Sequence, residues 1–154
     1  ESYLIGVYCS FSLLPFLTSL CSLVIWLRQT RLRLVPIVVS YSSAVMIHSM
    51  NKGEILDLES KPTLSDGTAG GLEKDAITLP ICMENIDETV LVTENEIKDA
   101  MISFIKYEHL LLEGAAGTAI AALMKIKDKL KGKRVGVVIC GGNVSIDTIK
   151  QIFN

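Results

Sequence analysis

The segment with the clearest chemical potential is Cys140–Asn143, a cysteine followed by two glycines and an asparagine. It lies between a predicted continuous apolar strand, Val135–Ile139, and a predicted helix that ends near Phe153. Ligands of open α/β sheets bind at the carboxyl ends of the strands. Two glycines permit a close backbone approach, and Asn143 and the helix amides offer hydrogen-bond donors. The pattern predicts a binding loop, although an ordinary turn between a strand and a helix has the same composition.

Two carboxylates form the next candidate groups. Glu113 stands among apolar and small residues, where an unpaired charge is costly, so it is expected either to be paired or functional. The alternative is a cap at the start of the following helix, where a carboxylate favours the helix dipole. Ser65, Asp66 and Gly67 lie in a long loop rich in turn formers. Asp-Gly is first a turn signal, but long ordered loops are often functional.

Metal and nucleic-acid chemistry are disfavoured by composition. The net charge of −2 lacks the basic excess of a nucleic-acid-binding protein. His48 and His109 are far apart in sequence, and the cysteines form neither a zinc-ligand pattern nor a disulfide framework; they are Cys9, Cys21, Cys82 and Cys140. We therefore predict reduced cysteines in a cytoplasmic protein.

The elements around these groups follow an α/β pattern. Strands are predicted at residues 35–39 and 88–93. The capping box Thr93–Glu96 predicts the start of a helix with one apolar face. A helix is predicted over residues 43–52, and another over residues 114–130 whose first half consists almost entirely of small residues. The continuous apolar strand at residues 135–139 indicates a parallel sheet that is covered on both faces.

Residues 3–27 carry no charge and are followed by Arg28, Arg31 and Arg33. As a helix of ~1.5 Å rise per residue they would reach about 37 Å, which is long enough to cross a bilayer. The pattern predicts an apolar helical segment, either membrane-spanning with cytoplasmic arginines or buried in a larger protein.

Taken together, these motifs resemble a known family. Residues from about 40 to 154 are similar to the C-terminal part of the pyridoxal-phosphate-dependent threonine and serine dehydratases, a fold type II (tryptophan-synthase-β-like) family that includes serine racemase. The resemblance implies an incomplete three-layer α/β fold with a parallel sheet over residues 36–154, preceded by the apolar segment 1–35, which does not match and is transmembrane-like or misread. The matching segments are Thr63–Gly70, Pro80–Cys82, Leu91–Ile97, Leu112–Gly117 and Val137–Asn143.

The resemblance also implies roles for individual residues. Cys140 is expected to face the pyridine nitrogen of pyridoxal 5'-phosphate (PLP), and Glu113 to line the cofactor pocket. Asp66 is expected to orient a substrate hydroxyl or exchange protons with it. The loop that carries Cys140 is expected to consist of Gly141, Gly142 and Asn143. Ser65 and Gly67 are expected to form, with Asp66, the loop that closes the substrate side.

Three departures from the family limit these expectations. No lysine stands in the family's Schiff-base motif, so no catalytic residue is assigned. Residues 3–27 stand where the family's glycine-rich phosphate loop is expected. Some relatives bind a divalent ion through acidic residues just after the strand at residues 35–39; Val39–Val45 contains no acidic residue, so we predict no metal site.

The resemblance implies that the chain is a fragment of an enzyme that converts a hydroxy amino acid to a 2-oxo acid and ammonia, inactive alone and homo-oligomeric when complete. Threonine, serine and other hydroxy amino acids are all open as substrates, as is racemase activity. The competing interpretation is a non-catalytic interaction module, anchored to a membrane through residues 3–27.

Overall fold

The computed structural model describes residues 2–7 (backbone only), 36–139 and 141–154. Four parallel strands form one sheet in the order β3-β2-β1-β4. The strands are β1 (Ser2–Val7), β2 (Pro36–Ser40), β3 (Glu88–Val92) and β4 (Arg134–Val137). The helices of the described residues are α1 (Val45–Lys52), α2 (Thr78–Asn85), α3 (Glu94–Glu108), α4 (Gly114–Ile126) and α5 (Ile146–Phe153).

Strand β2 separates two hydrophobic cores. Val38 is buried in the core that contains residues of α3, α4 and α5, together with Val90 and Val92 of β3. Ile37 and Val39 are buried on the opposite face, against α1 and α2. Side chains alternate between the two faces of a strand, so helices on both faces bury nearly all of β2. The predicted three-layer α/β architecture with a parallel sheet is confirmed.

The N-terminal segment begins as a strand. Residues 2–7 form β1, which pairs in parallel with β2 on one side and β4 on the other. The predicted helix over residues 3–27 is therefore wrong for residues 3–7, while residues 8–27 lie outside the described residues. A charge-free apolar run is equally typical of a buried parallel strand, which explains the error. Within the described parts of the chain, no helix has the length and apolar character needed to cross a membrane.

Strand β4 is shorter and more exposed than predicted. It ends at Val137, and Val138 and Ile139 beyond it are 37% and 44% exposed. Along β4 itself, exposed and half-buried residues alternate. The prediction of a strand over residues 135–139 covered on both faces is thus wrong in length and in burial. In the sheet described here β4 is an edge strand; Val135 and Val137 on one of its faces pack against the core, whereas Arg134 and Gly136 are exposed.

The helix boundaries follow local signals. The capping box is present at the start of α3: the Thr93 hydroxyl accepts from the Glu96 N–H, and the Glu96 carboxylate accepts from the Thr93 N–H. Helix α1 ends at Gly53, whose φ of 75° is in the left-handed region that favours glycine. The helix predicted over residues 114–130 is α-helical to Ile126 and continues as a 3₁₀ turn to Leu130.

Candidate functional site

Three separate segments meet at the start of α4. They are residues 63–68, here called the aspartate loop, the Glu113–Gly114 junction, and residues 141–143, here called the glycine loop. The backbone N–H of Glu113 donates to the Gly141 carbonyl at 3.2 Å. Gly114 and Ala115 contact the aspartate loop. The structure therefore places both predicted loops beside Glu113.

The glycine loop lies directly against Glu113. A methyl group on Gly141 would be 2.5 Å from the Glu113 carboxylate oxygens, and one on Gly142 would be 2.9 Å from the Leu111 carbonyl oxygen. Side chains at these positions would collide with their neighbours. Gly142 is thus needed for the close approach of the loop to the Leu111 backbone, whereas a side chain at Gly141 would displace the flexible Glu113 carboxylate.

The aspartate loop approaches α4 just as closely. A methyl group on Gly114 would overlap the carbonyl group of Leu64, and one on Gly67 would lie 3.4 Å from the Ala115 Cβ. The small residues at the start of α4 therefore admit a neighbouring backbone, as their composition predicts. One turn further, a methyl group on Gly117 would lie 2.7 Å from the Met101 Cγ of α3.

Glu113 occupies the N-cap position of α4 but does not cap the helix with its side chain. Its backbone is extended, and its carboxylate makes no capping hydrogen bond to the helix amides described here. The side chain is half-buried and its Cδ lies against the glycine loop. Glu113 therefore holds the predicted cap position without a capping hydrogen bond, and its role in a cofactor pocket stays a prediction.

Within the aspartate loop, Ser65 and Asp66 have different environments. Ser65 is fully buried, and its hydroxyl is hydrogen-bonded to the Thr68 hydroxyl at 2.6 Å. Asp66 is exposed at the start of the 3₁₀ turn Asp66–Thr68, and its Oδ1 accepts from the Gly67 N–H at 2.8 Å. Ser65 thus stabilises the loop from inside, whereas Asp66 presents a carboxylate to solvent.

The remaining predicted positions are only partly described. Cys140 lies outside the described residues, so its place beside the pyridine nitrogen stays a prediction. Asn143 is exposed, two residues before Ser145 caps α5. No group of three or more His, Cys, Asp and Glu side chains in the described ranges could hold a metal ion, and the absence of a metal also stays a prediction.

Glu94 was missed as a site residue. Its carboxylate accepts hydrogen bonds from the Ser40 hydroxyl, from the Thr63 hydroxyl at 2.6 Å and from the Leu64 N–H at 2.7 Å. Burial raises the pKa of Glu94, but these hydrogen bonds outweigh it and leave the pKa below its ordinary value. The one available signal was its position: Glu94 follows β3, and Ser40 ends the neighbouring parallel strand, so both lie at the carboxyl edge of the sheet.

The chain is similar to known pyridoxal-phosphate-dependent enzymes. The sequence profile of the family described as "Pyridoxal-phosphate dependent enzyme" matches residues 18–141, beginning inside the segment 1–35. The chain is 38% identical over 109 residues to L-threonine ammonia-lyase of Thermotoga maritima, an alignment that covers 71% of this chain and 27% of that protein. It is 41% identical over 113 residues to serine racemase of Dictyostelium discoideum, covering 69% of this chain and 33% of the relative.

The crystal structure of the Dictyostelium discoideum serine racemase superposes with a TM-score of 0.73 at 29% identity, over 95% of this chain and 45% of that chain. The chain thus spans about a third of the length of the curated relatives that it matches. The profile covers most of the chain, and the identity to each relative exceeds 30%. This chain therefore belongs to the family of pyridoxal-phosphate-dependent enzymes.

Proposed function

We propose that this chain supplies two walls of the active site of a PLP-dependent threonine or serine ammonia-lyase, which releases ammonia and a 2-oxo acid from a hydroxy amino acid. The observation that carries the proposal is the convergence of the aspartate loop, Glu113 and the glycine loop at the start of α4. The names of the relatives support the reaction class, since they include threonine ammonia-lyases and a serine racemase.

The residues at the junction fit one wall of a PLP pocket. Gly141 and Gly142 present backbone without side chains beside the Glu113 carboxylate, and a Cβ at either position would collide with its neighbour. A flat ring needs this kind of bare backbone surface. When bound, PLP acts as an electron sink for the carbon that loses its proton. In this arrangement Glu113 lines the pocket beside the glycine loop.

The aspartate loop forms the second wall. Asp66 is exposed at its tip, while Ser65 and Thr68 hold the turn from within. A carboxylate at this place can accept a hydrogen bond from the substrate hydroxyl and fix its orientation, and the proton with which the hydroxyl leaves as water would come from an acid elsewhere in the complete site. For threonine the balanced reaction gives 2-oxobutanoate and ammonia; for serine it gives pyruvate and ammonia.

We further propose that the chain does not complete this reaction by itself. The lysines of the sequence stand in polar contexts outside the family's Schiff-base motif. A lysine nucleophile requires a lowered pKa, which an apolar pocket or a second cation provides. The whole protein's reaction would then depend on residues beyond the segments described here.

Binding of a PLP analogue without the aldehyde, pyridoxine 5'-phosphate, tests the two walls directly. Followed by NMR on the full chain, it should shift the amide signals of residues 113–116 and 141–143 and leave Gly71 unchanged. Shifts confined to other regions, or no shifts at a millimolar concentration of the analogue, would contradict the proposal.

A second experiment tests whether the chain carries a catalytic lysine. Borohydride reduction of the chain with PLP should leave no stoichiometric lysine adduct in the mass spectrum. A single modified lysine would show that the chain carries its own nucleophile.

A further inference from the structure

We propose that Glu94 is a positioning residue that fixes the aspartate loop against α4 and thereby determines where Asp66 stands. This inference rests on the proposed function for the meaning of Asp66, but the contact between Glu94 and the loop stands on the geometry alone. Glu94 comes from the first turn of α3, and its partners in the loop are 30 and 31 residues away in sequence.

The aspartate loop is held on two sides at Leu64. The Leu64 N–H donates to Glu94 Oε2 at 2.7 Å, and the Leu64 carbonyl packs against Gly114. The Thr63 hydroxyl donates to Glu94 Oε1 and accepts from the Ser65 N–H at 3.1 Å. The peptide groups on either side of Leu64 are thus fixed directly before Asp66.

The flanks of the longer loop are held by different residues. The 3₁₀ turn Tyr41–Ser43 follows β2 and contacts both flanks. The Ser42 carbonyl accepts a hydrogen bond from the Lys61 N–H at 2.8 Å, and the Ser43 hydroxyl accepts one from the Gly70 N–H at 3.0 Å. The Ser43 contact does not use Glu94, whereas the Ser42 side chain is itself hydrogen-bonded to the Glu94 carboxylate. Loss of the Glu94 carboxylate should therefore release the middle of the loop, residues 63–66, while the flank at Gly70 stays attached.

Glu94 also ties the loop to the sheet. Its Oε1 accepts from the hydroxyl of Ser40, a fully buried residue at the end of β2. One carboxylate therefore connects three parts of the protein: the end of a core strand, the start of α3 and the aspartate loop. All the donors to it are neutral, so the interaction depends on the negative charge of Glu94 itself.

Glu96 provides a matched control. It lies in the same first turn of α3, but its described contacts are with Thr93 and with Lys125, at 3.0 Å. Glu96→Gln removes a helix-start carboxylate without touching the aspartate loop. Any effect of Glu94→Gln that Glu96→Gln lacks must come from the contacts of Glu94 with the aspartate loop and with Ser40.

Amide hydrogen exchange on the full chain tests the inference. Hydrogen bonds to charged groups are stronger than those between neutral groups, so Glu94→Ala should raise the exchange rate of the Leu64 amide by about tenfold or more. Glu94→Gln keeps a carbonyl acceptor and should give a smaller increase, and it serves as the test if Glu94→Ala does not fold. Glu96→Gln should leave Leu64 as in the wild type. Unchanged exchange at Leu64 in both Glu94 variants would overturn the inference.

A pH profile separates positioning from general stability. The Leu64 amide proton should shift with a midpoint below pH 4.5 in the wild type, because it reports the ionisation of its own acceptor. Glu94→Gln should abolish this midpoint, and Glu96→Gln should keep it. A midpoint that persists in Glu94→Gln would refute the assignment of the acceptor.

The result is independent of cofactor binding. If the exchange rates behave as expected but pyridoxine 5'-phosphate does not perturb the start of α4, the proposed function fails while the role of Glu94 in fixing the loop is upheld. If the analogue binds and Leu64 exchange is insensitive to Glu94, the positioning role alone is overturned.

Discussion

A single methyl group at Gly114 should disrupt the junction of the three segments. The Cβ of Gly114→Ala would overlap the carbonyl group of Leu64 and would lie 3.0 Å from the Ser65 nitrogen. Both neighbours are backbone atoms, so relief requires a shift of the aspartate loop or of α4 rather than a change of rotamer. Leu64 is also held by Glu94, which opposes a shift of the loop.

The expected loss of stability follows from two opposing contributions. Alanine in place of glycine in a helix contributes about 0.5–1 kcal/mol of stabilisation. An added group in a tightly packed site costs about 1–3 kcal/mol, and the upper end applies where backbone meets backbone. The net loss in the free energy of unfolding is therefore about 2 kcal/mol, a roughly 30-fold change in the folding equilibrium constant.

Urea unfolding of the full chain measures this loss, with a series of glycine variants for comparison. Among the described residues, no heavy atom outside its chain neighbours lies within 4 Å of a methyl group on Gly71, so Gly71→Ala should change stability by about 0.5 kcal/mol or less. Gly117→Ala should be intermediate, because the atom it meets first belongs to the flexible Met101 side chain. A Gly114→Ala protein within 0.5 kcal/mol of Gly71→Ala would refute the close approach of Leu64.

Three further predictions concern charge, capping and the glycine loop. The pKa of Glu94 is lowered in the folded state, so the ionised carboxylate stabilises the fold above about pH 4.5, and this stabilisation is lost as the pH falls through the lowered pKa. In urea unfolding measured at a series of pH values, Glu94→Gln should therefore show a smaller loss of the free energy of unfolding at acidic pH than the wild type. Thr93→Ala should reduce the free energy of unfolding by ~1 kcal/mol in thermal or urea denaturation because the capping box is lost, while Thr93→Ser should retain most of it. Gly141→Ala should turn the flexible Glu113 carboxylate away from the glycine loop. The affinity for pyridoxine 5'-phosphate should fall at least tenfold, while the free energy of unfolding should fall by less than ~1 kcal/mol. Equal affinity of the variant and the wild type in a calorimetric titration would contradict the proposed pocket wall.

Several features were predictable from the sequence because they depend on neighbours along the chain. The capping box of Thr93 and Glu96 spans four residues, and the glycine that ends α1 is required by the backbone angle at one position. The parallel three-layer arrangement follows from apolar strands that alternate with helices. The motifs that carry the family resemblance are also continuous segments, so the candidate residues around Glu113 could be selected before their contacts were known.

Other features depend on contacts between distant segments, and only the tertiary structure determined them. The apolar run at the N-terminus is compatible with a helix or a strand; pairing with β2 and β4 made residues 2–7 a strand. Val138 and Ile139 look like core residues in sequence, yet they are exposed beyond the end of an edge strand. Glu94 looks like an ordinary acidic residue at a helix start. The parallel sheet places Ser40 beside Glu94, and the packing of the aspartate loop brings the Leu64 peptide to the same carboxylate from 30 residues away. No local pattern could reveal that one carboxylate holds the aspartate loop in place.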